Sequence, residues 1–193
     1  MTLQEASETW GASGRFGIVP LADNKIYWFA CINAPQNDKA MRQFKVADLQ
    51  YNFRNYHSLI PLILEQSKDE DLLWNDIIDV KPVTRYAFER IVLVGDAAHA
   101  TTPNMGQGAC QAIEDAVVLA DELSKHGDIS KAFKQFEQRR LKRTHYIVNT
   151  SWNIGKAAQI NNKVLANCRN FLFRHLPSRV QDRQLEKLYK VDF

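Results

Sequence analysis

Apolar and polar positions fall into two regimes along the chain. Before Arg90, short runs rich in β-branched and aromatic residues alternate with turn chemistry. Arg15-Phe-Gly-Ile-Val-Pro-Leu21 and Lys25-Ile-Tyr-Trp-Phe-Ala-Cys-Ile32 flank Ala22-Asp-Asn24, which predicts a β-hairpin. On its second strand Tyr27, Phe29 and Cys31 share one face, and Ile26, Trp28 and Ile32 the other. The pattern therefore predicts a strand covered on both sides, by core on one and by core, ligand or partner on the other. Asn33 to Lys45 is polar and loop-like. Val46, Leu49, Phe53 and Tyr56 recur at helical spacing and predict a helix over 46–57. Ser58 to Leu64 reads as a second short helix with Pro61 in its first turn, where proline is tolerated. Asp76-Ile-Ile-Asp-Val80 predicts one more strand, ended by Pro82.

After Arg90 the period changes. Ile91-Val-Leu-Val94 is wholly apolar and ends at Gly95-Asp96, which predicts a buried strand of a parallel sheet. A loop from Ala97 to Met105 follows. Ala109, Ala112, Ile113, Ala116, Val117, Ala120 and Leu123 then form an apolar stripe at helical spacing. Gly127-Asp128 breaks that helix, and Asp128 or Ser130 caps the next, which runs through Phe133 and Phe136 into Arg139-Arg140-Leu-Lys-Arg143. The rest is mostly helical, with Pro177-Ser178 before a last helix to Tyr189. Composition thus divides a β-rich part, residues 1–86, from an α-rich part, residues 87–193.

The 193 residues are 45% hydrophobic and 24% charged, ordinary for a globular chain, which excludes a disordered tail, a collagen-like fibre or a mucin-like stalk. No apolar run approaches the ~20 residues that span a bilayer. Met1 to Trp10 lacks a basic stretch followed by an apolar one, so no secretory signal is visible. Three irregularly spaced cysteines, Cys31, Cys110 and Cys168, make neither a disulfide framework nor a zinc pattern. Reduced thiols and a cytoplasmic location are the expectation. A net charge of +3 is too small to argue for nucleic acid.

The segment from Ile91 to Ala116 carries the chemistry. An aspartate at the carboxyl end of a strand stands where open α/β sheets bind ligands, and Asp96 can accept hydrogen bonds from ligand hydroxyls. Pro103 stiffens the loop, while Gly106 and Gly108 permit unusual backbone angles and close approach of a flat ligand. The helix that follows points free N–H groups and its positive dipole end at whatever sits there, which favours a ligand carrying or developing negative charge. Strand, glycine loop and helix also recur in many α/β proteins without a ligand, so the physical pattern leaves both readings open.

The spacing of Gly95, Asp96, His99, Pro103, Gly106, Gln107, Gly108, Glu114 and Asp115 resembles the second flavin-binding motif of the single-component, FAD-dependent aromatic hydroxylases. It looks most like the branch with bacterial urate hydroxylases and plant zeaxanthin epoxidases. Trp10-Gly, Arg15–Leu21 and Tyr27–Ala30 resemble the substrate-domain hairpin of that branch, and Phe136–Arg140 and Phe171–Pro177 its C-terminal helices. The resemblance implies an α/β fold: the C-terminal part of a Rossmann-like FAD-binding domain (87–193), part of a β-sheet substrate domain (1–86), and terminal helices. It implies that Asp96 holds the ribityl chain of FAD and that the backbone of Gly106, Gln107, Gly108, Ala109 and Cys110, after the Gly95 turn, faces the pyrimidine edge of the flavin. NAD(P)H would reduce the flavin, oxygen would give a C4a-hydroperoxide, and an oxygen atom would pass to a small hydrophobic or aromatic substrate. Pro103 would line that pocket, with Arg15 and Tyr27 facing the substrate. Asn104 stands where urate hydroxylases carry an acid, which speaks against urate.

The departure from the family is large. Its strand–Gly-x-Gly-x-x-Gly–helix unit, with an acid about twenty positions on, binds the ADP half of FAD and is not found here. Gly11-Ala-Ser-Gly14 precedes a hairpin strand and is no substitute. The expectation is the C-terminal half of a monooxygenase, whose partner is the N-terminal FAD-binding portion; an exposed FAD-domain face would otherwise drive homodimerisation. Alternatives are an inactive piece that only completes a partner chain, and a related flavin reductase or halogenase. His99 is expected to support the loop, Glu114 and Asp115 to anchor backbone or a basic side chain, and Cys110 to be a small buried residue. Arg139, Arg140, Lys142 and Arg143, near Glu137, read as a solvated helix face.

Overall fold

The computed structural model describes residues 5–57 and 59–191. The chain is mixed α/β and forms two compact units: residues 1–76 with 157–176, and residues 77–156 with 177–193.

Unit 1 is built on a three-stranded antiparallel sheet of β1 (Ser7–Gly11), β2 (Gly14–Pro20) and β3 (Ile26–Cys31), in that order. The β2–β3 hairpin is where the alternation puts it. Asp23 and Asn24 in its turn take φ of 58° and 57°, a conformation these two residue types tolerate. Helices α1 (Lys39–Arg42), α2 (Val46–Phe53) and α3 (Leu59–Gln66) follow. Phe16, Ile18, Leu49, Phe53, Ile60, Ile63 and Leu64 form the core, with Trp28 packed against it. Phe16 stacks on Trp28 at 5.3 Å and meets Phe53 edge-on at 5.4 Å. Helix α2 ends at Phe53, short of residue 57, because Tyr56 turns back to the sheet and donates its hydroxyl to the Gly14 carbonyl at 2.8 Å. Ser58, the expected start of α3, lies outside the described residues.

One face of β3 packs on the core, and the other is closed at Cys31, 7% exposed, but open at Tyr27. Trp28 joins the core and donates Nε1–H to Ser67 Oγ at 3.0 Å. On the other face Tyr27 is 53% exposed, while Phe29 lies across Gly17, its register partner, where any side chain would collide with the ring. Helix α7 (Lys163–Arg174) completes the unit. Its Arg169 donates to the Ala157 and Ala158 carbonyls at 3.0 and 2.8 Å and lies 5.5 Å from the Trp10 ring.

Unit 2 contains β4 (Ala87–Phe88), β5 (Ile91–Val92), α4 (Asp96–His99), α5 (Gly108–Lys125), α8 (Ser178–Tyr189) and all but the last two residues of α6 (Ile129–Ala158). Tyr86, Ala98, Val118 and Phe136 form its apolar core. The Asp128 carboxylate accepts the Ser130 N–H at 2.9 Å where α6 begins.

Two expectations are corrected here. Ile91–Val94 is not a buried strand of a parallel sheet: β5 has two residues and pairs antiparallel with β4, and Ile91 is 64% exposed. An apolar run needs a neighbouring backbone to become a parallel strand, and the described residues hold no parallel pair. Asp76–Val80 is no strand for the same reason; Val80 N–H finds only the Ala100 carbonyl, at 3.0 Å. The apolar stripe of α5 faces outward, with Ile113, Val117 and Leu123 exposed, while Gln111, Glu114, Asp115 and Glu122 are buried. The compact units divide at 76/77 and return 157–176 to the first, whereas the composition boundary stands at 86/87.

Candidate functional site

The turn after β5 depends on Gly95. This residue is buried at φ 56°, ψ −139°, a region closed to side-chain-bearing residues, and a Cβ there would sit 3.4 Å from Ala112 of α5. The next residue, Asp96, opens α4 with an exposed side chain. A 3₁₀ turn over Pro103–Met105 leads to Gly106, at φ 62° with no atom within 4 Å of where a Cβ would stand. Gln107 then precedes α5 without capping it through its side chain, and the first internal amide bond runs from Gln111 N to the Gln107 carbonyl at 2.9 Å. The N–H groups of Gly108, Ala109 and Cys110 head an 18-residue helix with no side-chain cap, so its positive end is available to an electronegative ligand. Pro103, Gly106, Ala109 and Cys110 are exposed, and Gln107 and Gly108 half-buried. Cys110 is therefore not the buried small residue expected: position 110 lies on the outward side of α5.

The loop is pinned to α6. Ser151 Oγ donates to the Thr102 carbonyl at 2.6 Å, and Thr102 Oγ1 lies 2.8 Å from Ser151 Oγ. Asn104 Nδ2 donates to Thr102 Oγ1 and to the Ser151 carbonyl, at 2.8 and 2.9 Å. Gly155 makes room for that amide, since a Cβ at 155 would come within 2.5 Å of Asn104 Nδ2. Asn104 is a brace of the loop.

Beneath the loop lies a buried charge network. Asp115 Oδ2 accepts the Gly95 N–H at 2.8 Å and lies 2.7 Å from His99 Nε2; its Oδ1 accepts Arg140 Nε–H at 2.6 Å. Glu114 Oε2 accepts from Arg140 and from Arg143, each at 2.6 Å, and Arg140 also donates to Gln111 Oε1 at 2.8 Å. Arg143 goes on to the Leu188 carbonyl at 2.9 Å, near the end of α8. Burial alone would raise the Asp115 carboxyl, but hydrogen bonds from His99, Gly95 N–H and Arg140 outweigh it and hold it below the usual carboxylate range. Glu114 is likewise pulled down by Arg143 and Arg140 against the opposing effect of burial. Apart from exposed Lys142, the basic run on α6 is thus no solvated face: Arg140 is 2% exposed, Arg143 is bound to Glu114, and Arg139 pairs with Asp121 and Glu122. Sequence reasoning missed Thr102, Ser151 and Gln111 and misread Arg140. The signal available was an adjacent acid pair on one helix and an adjacent arginine pair on the next.

The candidate residues do not all fall in one unit. Gly95, Asp96, Pro103 and Gly106 to Cys110 belong to unit 2, Arg15 and Tyr27 to unit 1. Arg15 is buried, with one guanidinium nitrogen 3.2 Å from Glu8 Oε1 and its Nε lacking a hydrogen-bond partner. Burial raises the thiol of Cys31, its register partner, and Arg15 offsets this only in part.

The donor set fits one half of a flavin dinucleotide. An exposed carboxylate suits a polyol chain, an uncapped helix end suits an electron-rich ring edge, and the side-chain-free surface at Gly106 admits a flat ring.

A family model described as FAD binding domain matches residues 4–151. The chain belongs to that FAD-binding family. Its curated relatives are flavoprotein monooxygenases. It is 38% identical over 183 residues to aurachin C monooxygenase/isomerase of Stigmatella aurantiaca, covering 94% of this chain and 48% of that protein. It is 31% identical over 138 residues to the FAD-dependent urate hydroxylase of Klebsiella oxytoca, covering 72% and 36%. The fold is shared with Klebsiella pneumoniae HpxO complexed with FAD and uric acid, at a TM-score of 0.85 and 24% identity over 95% of this chain and 47% of that one. The chain spans about half the length of the curated relatives it matches. Among the described residues no helix is long and apolar enough to cross a membrane.

Proposed function

We propose that the chain is the C-terminal part of a cytoplasmic, FAD-dependent monooxygenase that uses NAD(P)H and oxygen on a small aromatic or hydrophobic substrate. The observation that carries this reading is the uncapped start of α5, reached through Gly106 and packed against the Gly95 turn that presents Asp96. When bound, FAD supplies the redox chemistry, taking electrons from NAD(P)H and activating oxygen.

The chain's own residues bind and orient. Asp96 accepts hydrogen bonds from the ribityl hydroxyls. The N–H groups of Gly108, Ala109 and Cys110 stabilise negative charge on the pyrimidine edge of the ring, fixed dipoles that need no rearrangement as that charge develops. Pro103 is the rigid edge of the substrate side. Tyr27, exposed on β3, offers an aromatic wall. Matches covering nearly all of this chain include 2-heptyl-3-hydroxy-4(1H)-quinolone synthase of Pseudomonas aeruginosa, at 29% identity and 95% coverage. A ring bearing an apolar chain is favoured over urate, since Asn104 is engaged with Thr102 and Ser151.

The outward apolar stripe of α5 supports a second reading, in which the chain only completes a partner that carries the dinucleotide-binding unit. A flavin titration separates the two. The purified chain should carry little FAD, yet quench flavin fluorescence in a saturable way, and Asp96→Ala should weaken that binding about tenfold without changing the circular dichroism. Absence of saturable binding, or an Asp96→Ala variant of unchanged affinity, would overturn the flavin site.

A further inference from the structure

Asp115 is fully buried, two turns into α5, and its carboxylate has no route to a ligand. Three groups from three elements nevertheless converge on it: Gly95 N–H from the turn, His99 from α4 and Arg140 from α6, at 2.8, 2.7 and 2.6 Å. Gly95 is the residue that most needs an external hold. Its conformation lies outside the regions that side chains and ladders stabilise, and its peptide sets the direction of Asp96. His99 N–H and Ala98 N–H both return to the Gly95 carbonyl, at 3.0 and 2.9 Å, so the same carboxylate grips the turn at its N–H and at the end of the short helix that the turn starts.

We propose that Asp115 is the positioning residue of the flavin site: it fixes the Gly95 peptide and α4 so that the Asp96 carboxylate stands ready for the ribityl hydroxyls. This rests on the flavin reading above and adds to it the residue that sets the reach of Asp96. The carboxylate is held in its charged form by the same three donors, and two of them, Gly95 N–H and His99, belong to the turn and the short helix it starts. Arg140 secures the other oxygen and keeps the side chain from rotating away from Gly95.

The test compares Asp115→Asn, Asp96→Asn and the double variant, using FAD as the probe and amide hydrogen exchange as an independent readout. Asp115→Asn should lower FAD affinity about tenfold, the size of effect seen when a residue supporting a ligand-binding group is removed. Because Asp115 acts only through the turn, the double variant should bind FAD no more weakly than Asp96→Asn alone, whereas two independent effects would multiply. Exchange in Asp115→Asn should rise at Gly95–His99 and stay unchanged in β2 and β3. Multiplying effects, or a uniform rise in exchange, would reduce Asp115 to a general stabiliser and overturn the proposal. If wild-type chain shows no FAD binding, the flavin reading fails, while the exchange pattern still decides whether Asp115 holds the turn. Should Asp115→Asn not fold, His99→Gln removes one of the three contacts and should show the same local exchange pattern at smaller amplitude; no local change overturns the proposal.

Discussion

The two units solve the problem of an interior in opposite ways. Unit 1 buries Phe16, Phe53, Ile60 and Leu64 and keeps most of its charges outside. In unit 2, α5 turns Gln111, Glu114, Asp115 and Glu122 inward and leaves Ile113, Val117 and Leu123 in solvent. The first interior gains its stability from apolar area, with no carboxylate among its core side chains. The second holds ionised groups that are tolerable only while every member has its partner. A charged interior costs stability that a core of leucines would not, but it fixes directions, and directions are what a turn that presents a ligand-binding carboxylate needs.

The largest effect is expected at Arg140. Arg140→Met leaves Asp115 and Glu114 buried without their shared cation and should cost about 3–5 kcal/mol in denaturant unfolding, with amide exchange rising first in α5 and β4–β5. The pH dependence has a definite sign. Both carboxyls titrate lower in the folded chain than in the unfolded one, so the unfolded state takes up protons first. Their contribution is complete above the ordinary carboxylate range, near pH 4, and is lost as pH falls through the depressed values. Unfolding measured from pH 7 down to pH 3 should show unit 2 losing stability in that window, and Arg140→Met should flatten the dependence.

Leu64→Ala provides the contrast. It removes a fully buried side chain from the core of unit 1 and should cost about 3 kcal/mol. The loss should be the same at pH 7 and pH 4, because no carboxylate lies in that cluster. A cost that varied with pH would break the distinction between the two interiors. Gly95→Ala comes next, at about 2 kcal/mol, because alanine resists a positive φ that glycine takes freely.

This difference between the units also decided what was legible in advance. In unit 1 the alternation of Arg15–Leu21 and Lys25–Ile32 and the period of Val46, Leu49 and Phe53 place strands and helix correctly, because there the apolar side is the inner side. β1 escaped, since Ser-Glu-Thr-Trp has no alternation and is a strand only because β2 offers an edge. In unit 2 the helical period of α5 was readable, but not which way it faced. Period is local, whereas the choice of inner face was made by Arg140 and Arg143, more than twenty residues away in sequence. The Gly95, Asp96 and Gly106–Cys110 positions were legible through turn chemistry and family spacing. The braces at Thr102, Ser151 and Gly155 were not, for nothing in a lone serine or glycine on a long helix tells which loop it will meet.

The smallest stability effect is expected where the inversion is most exposed. Ile113 is a large apolar residue on the stripe that unaided periodicity would bury, yet it is 66% exposed. Ile113→Gln should therefore change unfolding stability by no more than about 0.5 kcal/mol at low protein concentration, where an ordinary core isoleucine would cost several times that. The same substitution should matter to association. An outward stripe of Ile113, Val117 and Leu123 is apolar surface that a second copy or a dinucleotide-binding partner would cover, so sedimentation at increasing concentration should show wild-type self-association that Ile113→Gln weakens. A loss of about 2 kcal/mol in the dilute chain would mean that the stripe is inside after all, and the contrast between the two units would collapse at its most direct test.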